Sequence, residues 1–272
     1  MTDRPRVVVI TSDQARHRYV AERLDRGLSI AGIVCEAKRP TTAPSPDVSD
    51  PSGEIVRDHF AERDRVESEL LGPDPAFPDV RRHDVPQGAV NGSEVFEWVS
   101  GLDPDLVLLY GSSIIRPPLL AEYSGRMINL HLGLSPYYRG SGTNFWPLVN
   151  GEPECVGATL HLAVAKVDAG PILAQVRPDP VAGDGAHHLG TKALMAAAEL
   201  LTAVAGAFHR GQPSGVEQDL SVGRVYRVRD FTADSVRVMR RNFDQGMMER
   251  FLSDRERRLE AIPIVDWTPG MK

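Results

Sequence analysis

Cysteine is scarce in this chain: 272 residues contain two, Cys35 and Cys155, and they form no C-x-x-C pair. A disulfide framework and a zinc-ribbon site are therefore excluded, and no metal site is expected. Reduced, cytoplasmic conditions are the expectation. An excess of basic charge is also missing. The formal net charge of -6 argues against a generic nucleic-acid coat. The N-terminal apolar run covers only Val7 to Ile10, too short for a signal peptide or a spanning helix. No G-x-S-x-G nucleophile elbow occurs, since Gly133-Leu134-Ser135-Pro136 lacks it, so a covalent acyl-enzyme has no support. Internal repeats are absent.

What is present is ordinary for a globular protein, 42% hydrophobic and 25% charged, at a length suited to one large domain or one domain with an appendage. RVVVIT at residues 6–11 reads as a β-branched, buried strand. Ser12 or Asp13 would cap a helix over 15–26, and a second strand follows over 30–35. This opening predicts an α/β fold with an open, mostly parallel sheet flanked by helices. Residues 37–53 are rich in Pro, Ser and Asp and read as an excursion loop. Residues 55–71 read as a charged helix on which His59, Arg63 and Glu67 share one face, and a solvated face is the expectation. Residues 106–110 (LVLLY) and 127–132 (MINLHL) read as central strands. Gly111-Ser112-Ser113 leaves the carboxyl end of the first, where open α/β sheets bind ligands. Residues 156–163 and 172–176 alternate like a strand pair, and 187–209 form a long amphipathic helix. The expected division is a catalytic domain over 1–211, with its excursion over 37–71, and a short α+β extension over 212–272. In the extension a strand over 224–228 precedes one charged helix over 233–254.

Asn129 and His131 have the same strand parity, so both side chains point to one side of a buried strand. Two polar groups there need partners. Asp168 lies far along the chain, in the turn Lys166-Val167-Asp168-Ala169-Gly170. An amide, an imidazole and a carboxylate suit acyl chemistry: the amide stabilises an oxyanion, the imidazole moves a proton, and the carboxylate orients the imidazole. Spacing alone equally allows turn or cap roles for Asn129 and Asp168 and a core role for His131.

Asn129-Leu130-His131, then Leu134-Ser135-Pro136 with Arg139-Gly140, then Val167-Asp168-Ala169-Gly170-Pro171, together resemble the folate-dependent formyltransferase family. The resemblance implies a Rossmann-like formyltransferase fold and 10-formyltetrahydrofolate as formyl donor, with Asn129, His131 and Asp168 as the catalytic triplet. It also implies a pterin slot lined by Leu109, Tyr110, Gly111, Ser112, Ser113, Ile114 and Ile115 and by Val164, Val167 and Gly170, chiefly through backbone. The chain departs from the purine-pathway member in that slot, where the member is more apolar and places its arginine earlier. The loop after the catalytic strand would wall the acceptor site, with Ser135, Tyr137, Tyr138, Arg139, Gly140, Thr143 and Asn144 as its candidates. Arg139 is the loop's cation and the expected counter-charge for an anionic acceptor. His161, His187 and His188 read as structural.

The residues after Gly211 are too few for the β-barrel of a transfer-RNA formyltransferase, and the excursion and tail exceed the purine enzyme. The expectation is therefore an N-formyltransferase acting by direct attack of an amine-type nitrogen of a small molecule, an amino sugar nucleotide or a natural-product intermediate. Neither nucleic acid nor membrane is expected as a partner, and a homodimer is left open. The alternatives are a hydrolase that deformylates the folate donor, a catalytically silent folate-binding module, and glycinamide ribonucleotide as acceptor.

Overall fold

The structure, a computed structural model, describes residues 4–38, 51–208, 210–211 and 214–267. Most of the expected excursion loop, residues 39–50, lies outside them, as does His209 at the expected end of the long helix.

Arg6–Thr11 (β1) is buried from Val7 onward, as an apolar strand covered on both faces must be. It pairs in parallel with Ser29–Glu36 (β2) and Leu106–Leu109 (β4). Arg82–Val85 (β3) continues the sheet beyond β2, and Met127–His131 (β5) continues it beyond β4, both in parallel. Ala158–Leu162 (β7) and Ile172–Val176 (β8) then add as an antiparallel hairpin. Among the described residues the order is β3-β2-β1-β4-β5-β7-β8, and a small ribbon pairs Tyr138–Gly140 (β6) with Arg224–Tyr226 (β9).

Strand parity sorts the side chains between two cores. Val7, Val9, Leu106 and Leu108 face Ala15–Asp25 (α1) and Ala186–Phe208 (α6), which contribute Leu24, Leu194, Ala197 and Leu201. Val8, Ile10, Val107 and Leu109 face the other way, onto Ser93–Gly101 (α3) and Leu119–Glu122 (α4). Full burial of a leucine contributes about 1.5–3 kcal/mol, so these alternating sets hold the strands in register. The 23-residue α6 is long and apolar enough by composition to cross a membrane, but here its Leu and Ala stripe packs on the sheet.

Three expectations are corrected. The N-cap of α1 is Gln14, without a side-chain cap bond, so neither Ser12 nor Asp13 caps it. The charged C-terminal helix is broken into Ala233–Asp244 (α7) and Met247–Ser253 (α8) by Gly246, whose φ of 75° is left-handed, a conformation glycine adopts freely. The helix Pro51–Leu71 (α2) does not present His59, Arg63 and Glu67 to water: His59 and Glu67 are buried. The reason is tertiary. α2 packs between α6 and α7, so the face carrying this four-residue spacing turns inward. The extension also covers Trp146–Val149 (α5) and the start of α6, through Val236, Met239, Met247 and Phe251 against Leu148 and Leu189.

Candidate active site

Asn129 and His131 lie at the carboxyl end of β5 on the side their parity requires. β7 runs antiparallel beside them and places His161 directly opposite Asn129. Asn129 Nδ2 donates to His161 Nε2 at 3.0 Å, while His161 Nδ1 donates to the Leu162 carbonyl at 2.9 Å. One hydrogen of the Asn129 amide is thereby used, and the second is left for a substrate oxygen. His161 was read as structural from the sequence. It belongs to the site, and the signal was its register against Asn129, which no motif carries.

Asp168 comes from the β7–β8 connection. Its φ of 49° is left-handed for a non-glycine residue, which costs of order 1–3 kcal/mol unless the surroundings impose it. Gln218 of the extension does so, donating to the carbonyls of Asp168 at 3.0 Å and Gly170 at 2.6 Å. The carboxylate lies 3.4 Å from His131 Nδ1 and 3.6 Å from His161 Nε2, and it accepts the Gly140 N–H at 3.0 Å. Burial would raise its pKa. The facing His131, His161 and the Gly140 amide outweigh that and hold it down to about 2. Burial in turn lowers the pKa of His131, against the pull of Asp168. His131 Nε2 donates to the Tyr138 carbonyl at 3.1 Å. The ring thus sits between two acceptors; its neutral form can donate to one of them and its imidazolium to both.

Two adjoining cavities open here. The one that the triplet lines, about 830 Å³, is lined also by Leu109, Tyr110, Gly111, Ser112, Ser113, Ile114 and Ile115 and by Val164 and Val167. Ile114, Val164 and Val167 are exposed apolar residues of that lining. Gly111, at φ 70°, lies so close to His17 that a Cβ would fall 2.3 Å from Nε2. Glu36 fixes this loop by accepting the Ser113 and Gly88 amides at 2.6 and 2.7 Å. Gly170 does not line the cavity; it supports the Asp168 turn, because a Cβ there would meet the Leu162 carbonyl oxygen at 1.8 Å.

The second cavity, about 970 Å³, opens beyond Leu132, Ser141, Asn144 and Phe145, which line both. Its remaining wall comes mainly from α2, α6 and the extension, including His59, Phe60, Arg63, His187, Arg229 and Phe231, with Arg16 of α1, Lys38 and Trp146 added. Rings of Phe60, Phe145 and Phe231 pack at 5.4 to 5.7 Å from His59. Burial lowers His59 to about 3 and His187 to about 4.

The acceptor-loop candidates divide by position. Gly140, Thr143 and Asn144 line the first cavity, and Asn144 Oδ1 accepts the Gly157 amide while its buried Nδ2 stays unpaired. Ser135, Tyr137, Tyr138 and Arg139 line neither cavity. Ser135 is buried with its amide donating to Thr159 Oγ1 at 3.0 Å. The Tyr137 hydroxyl donates to the Pro263 carbonyl at 2.9 Å. The buried Tyr138 hydroxyl is bound by Glu152, Asn150 and Arg224. Arg139, 6% exposed, donates to the Leu220 and Val222 carbonyls at 3.3 Å. β6–β9 pairing turns these side chains toward the extension, so they fasten the loop instead of facing a ligand.

Residues 58–205, more than half of the chain, match the formyl transferase family. The chain belongs to that family. Over 127 residues, 45% of this chain, it is 33% identical to a methionyl-tRNA formyltransferase of Trichlorobacter lovleyi, covering 40% of that protein. Over 92 residues, 34% of this chain, it is 37% identical to a phosphoribosylglycinamide formyltransferase of Escherichia coli, covering 43% of that protein. The chain thus spans less than half the length of these curated relatives. In fold it is similar to the solved phosphoribosylglycinamide formyltransferase of Anaplasma phagocytophilum, at a TM-score of 0.55 and 16% identity over 83% of this chain and 100% of that one. The formyl transferase match runs from within α2 into α6 and so includes the whole triplet, while the extension that completes the second cavity lies outside it.

Proposed function

We propose that the chain is an N-formyltransferase that moves a formyl group from 10-formyltetrahydrofolate to an amine-type nitrogen of a small molecule, an amino sugar nucleotide or a natural-product intermediate. The observation that carries this reading is the meeting of Asn129, His131 and Asp168 on the lining of the first cavity, which the second adjoins at Leu132 and Asn144. The donor, when bound, supplies an activated formyl carbon, whose bond to the folate nitrogen breaks as its bond to the acceptor nitrogen forms. The first cavity would hold it, through backbone at 109–115 and around Val164 and Val167. The free Nδ2 hydrogen of Asn129 would stabilise the oxyanion that develops on the formyl oxygen. His131 would hold the proton lost by the acceptor and return it to the departing nitrogen, with Asp168 ionised beside it. Asp168 and the Tyr138 carbonyl both favour the charged ring while it carries that proton.

A water nucleophile would need no second cavity lined by aromatic rings, and this favours transfer over donor hydrolysis. The test is tetrahydrofolate release from 10-formyltetrahydrofolate with and without a panel of amines. Release that depends on an amine and is lost in His131→Ala supports transfer. Equal release without amine would assign a hydrolase, and none with any amine a binding module.

A further inference from the structure

Arg139 is committed to backbone carbonyls, yet the second cavity is not short of positive charge. Arg16 on α1, Lys38 just after β2 and Arg63 on α2 all line it. One carboxylate of that wall opposes them: Glu67, 11% exposed, lies 2.6 Å from Arg16 and 3.9 Å from Arg63. Arg63 also reaches Asp64 at 2.7 Å, but that carboxylate is 65% exposed, so solvent screens the pair. Lys38 has no ion-pair partner within 4.0 Å among the described residues. Burial, and then the nearby Arg16, push its amine down to about 8. In a chain of net charge -6, the cations of this wall outnumber its one carboxylate among the described residues. Arg16 and Arg63 are part-buried, while Lys38 stays exposed, so a counter-ion entering here would stabilise the two guanidinium groups most.

Position decides which ligand supplies it. Arg16 and Lys38 line both cavities, whereas Arg63 lines only the one beyond the triplet. Arg63 also lies over the Phe60 ring at 5.0 Å, so an apolar platform adjoins the charge.

Resting on the formyl-transfer reading, we propose that Arg16, Lys38 and Arg63 form an oxyanion site for the acceptor. The acceptor is then an amine that also carries a phosphate or carboxylate group, and α2 is the helix that selects it. Arg63 is the specificity-determining residue in place of Arg139.

The test needs neither a formyl donor nor turnover. The full chain is acetylated with N-hydroxysuccinimidyl acetate near neutral pH, and Lys38, Lys166 and Lys192 are followed by peptide mass spectrometry. The probes are inorganic phosphate, pyrophosphate, citrate and p-aminobenzoylglutamate, the last standing for the donor's own carboxylates. Lys38 should be the fast-reacting lysine, and phosphate, pyrophosphate or citrate should slow its labelling about tenfold by holding it protonated. Exposed Lys166 should be unaffected. Protection by phosphate or pyrophosphate alone would mark a phosphate-bearing acceptor, and by citrate alone a carboxylate-bearing one. Arg63→Gln should abolish the protection, with Arg63→Met as the second variant should the glutamine form not fold. The proposal is overturned if none of the three anions protects Lys38, if p-aminobenzoylglutamate alone does, or if protection persists in a folded Arg63 variant. Each of those failures leaves formyl transfer standing, because amine-dependent tetrahydrofolate release is measured separately.

Discussion

The two cavities that meet at Asn144 are built from different materials. The first takes much of its lining from two contiguous stretches, 109–115 from the end of β4 and Ala163, Val164, Val167 and Asp168 after β7, with Gly111 close against His17. The second is walled by side chains drawn from α1, α2, α6 and the extension. A wall made of contiguous chain can meet a ligand through backbone groups that substitution leaves in place, whereas a wall of scattered side chains changes its chemistry with every residue. The proposed function therefore puts a common donor in the first cavity and an individual acceptor in the second.

The contrast breaks most visibly at the triplet. His131→Ala should lower kcat by roughly 10²–10⁴ while circular dichroism and reduced-folate binding stay near normal; near-normal turnover in the folded variant would remove His131 from the mechanism. Asn129→Ala should cost roughly 10²–10³ in kcat, with little change in the KM of either substrate. Gly111→Ala sharpens the comparison from the donor side. Its Cβ meets His17 at 2.3 Å in a left-handed backbone, so the thermal shift given by tetrahydrofolate should shrink.

Arg139→Ala should act on stability and not on selectivity. Its partners are the Leu220 and Val222 carbonyls, so denaturant unfolding should show a loss of about 1–3 kcal/mol. The KM values for donor and acceptor should move together or not at all. The smallest effect separates the cavities by pH. Burial holds His59 and His187 down to about 3 and about 4 in the folded chain, against an ordinary 6.5. Groups with a lowered folded pKa stabilise above their unfolded pKa, and that stability is lost as pH falls. The second cavity should therefore weaken from pH 6.5 down to about 4. Asp168, lowered from 3.8 to about 2, contributes stability that is lost only below its unfolded value. His59→Phe should flatten the acid-unfolding curve between pH 6.5 and 4, leaving the limb below 3.8 in place.

What was legible in the sequence divides along the same line. Strand parity and β-branched runs announced the sheet, and the turn residues announced the loops that leave its carboxyl edge. Asn129, His131 and Asp168 were readable because a motif keeps them at the ends of recognisable elements. His161 was not, because it enters through the register of β7 against β5. Arg139 was misread because neighbourhood along the chain stood in for direction in space; pairing between β6 and β9 turns it away. His59, Arg63 and Glu67 showed a helical face, but the face reads as solvated until α6 and α7 are known to cover it.

The most direct measurement is a crystal structure with a non-transferable 10-formyl folate analogue. The account predicts the pterin against the backbone at 109–115, the formyl oxygen within hydrogen-bond reach of Asn129 Nδ2, and an open path from the formyl carbon to Arg63. An analogue seated instead among Phe60, Phe145 and Phe231, or away from Asn129, would contradict it.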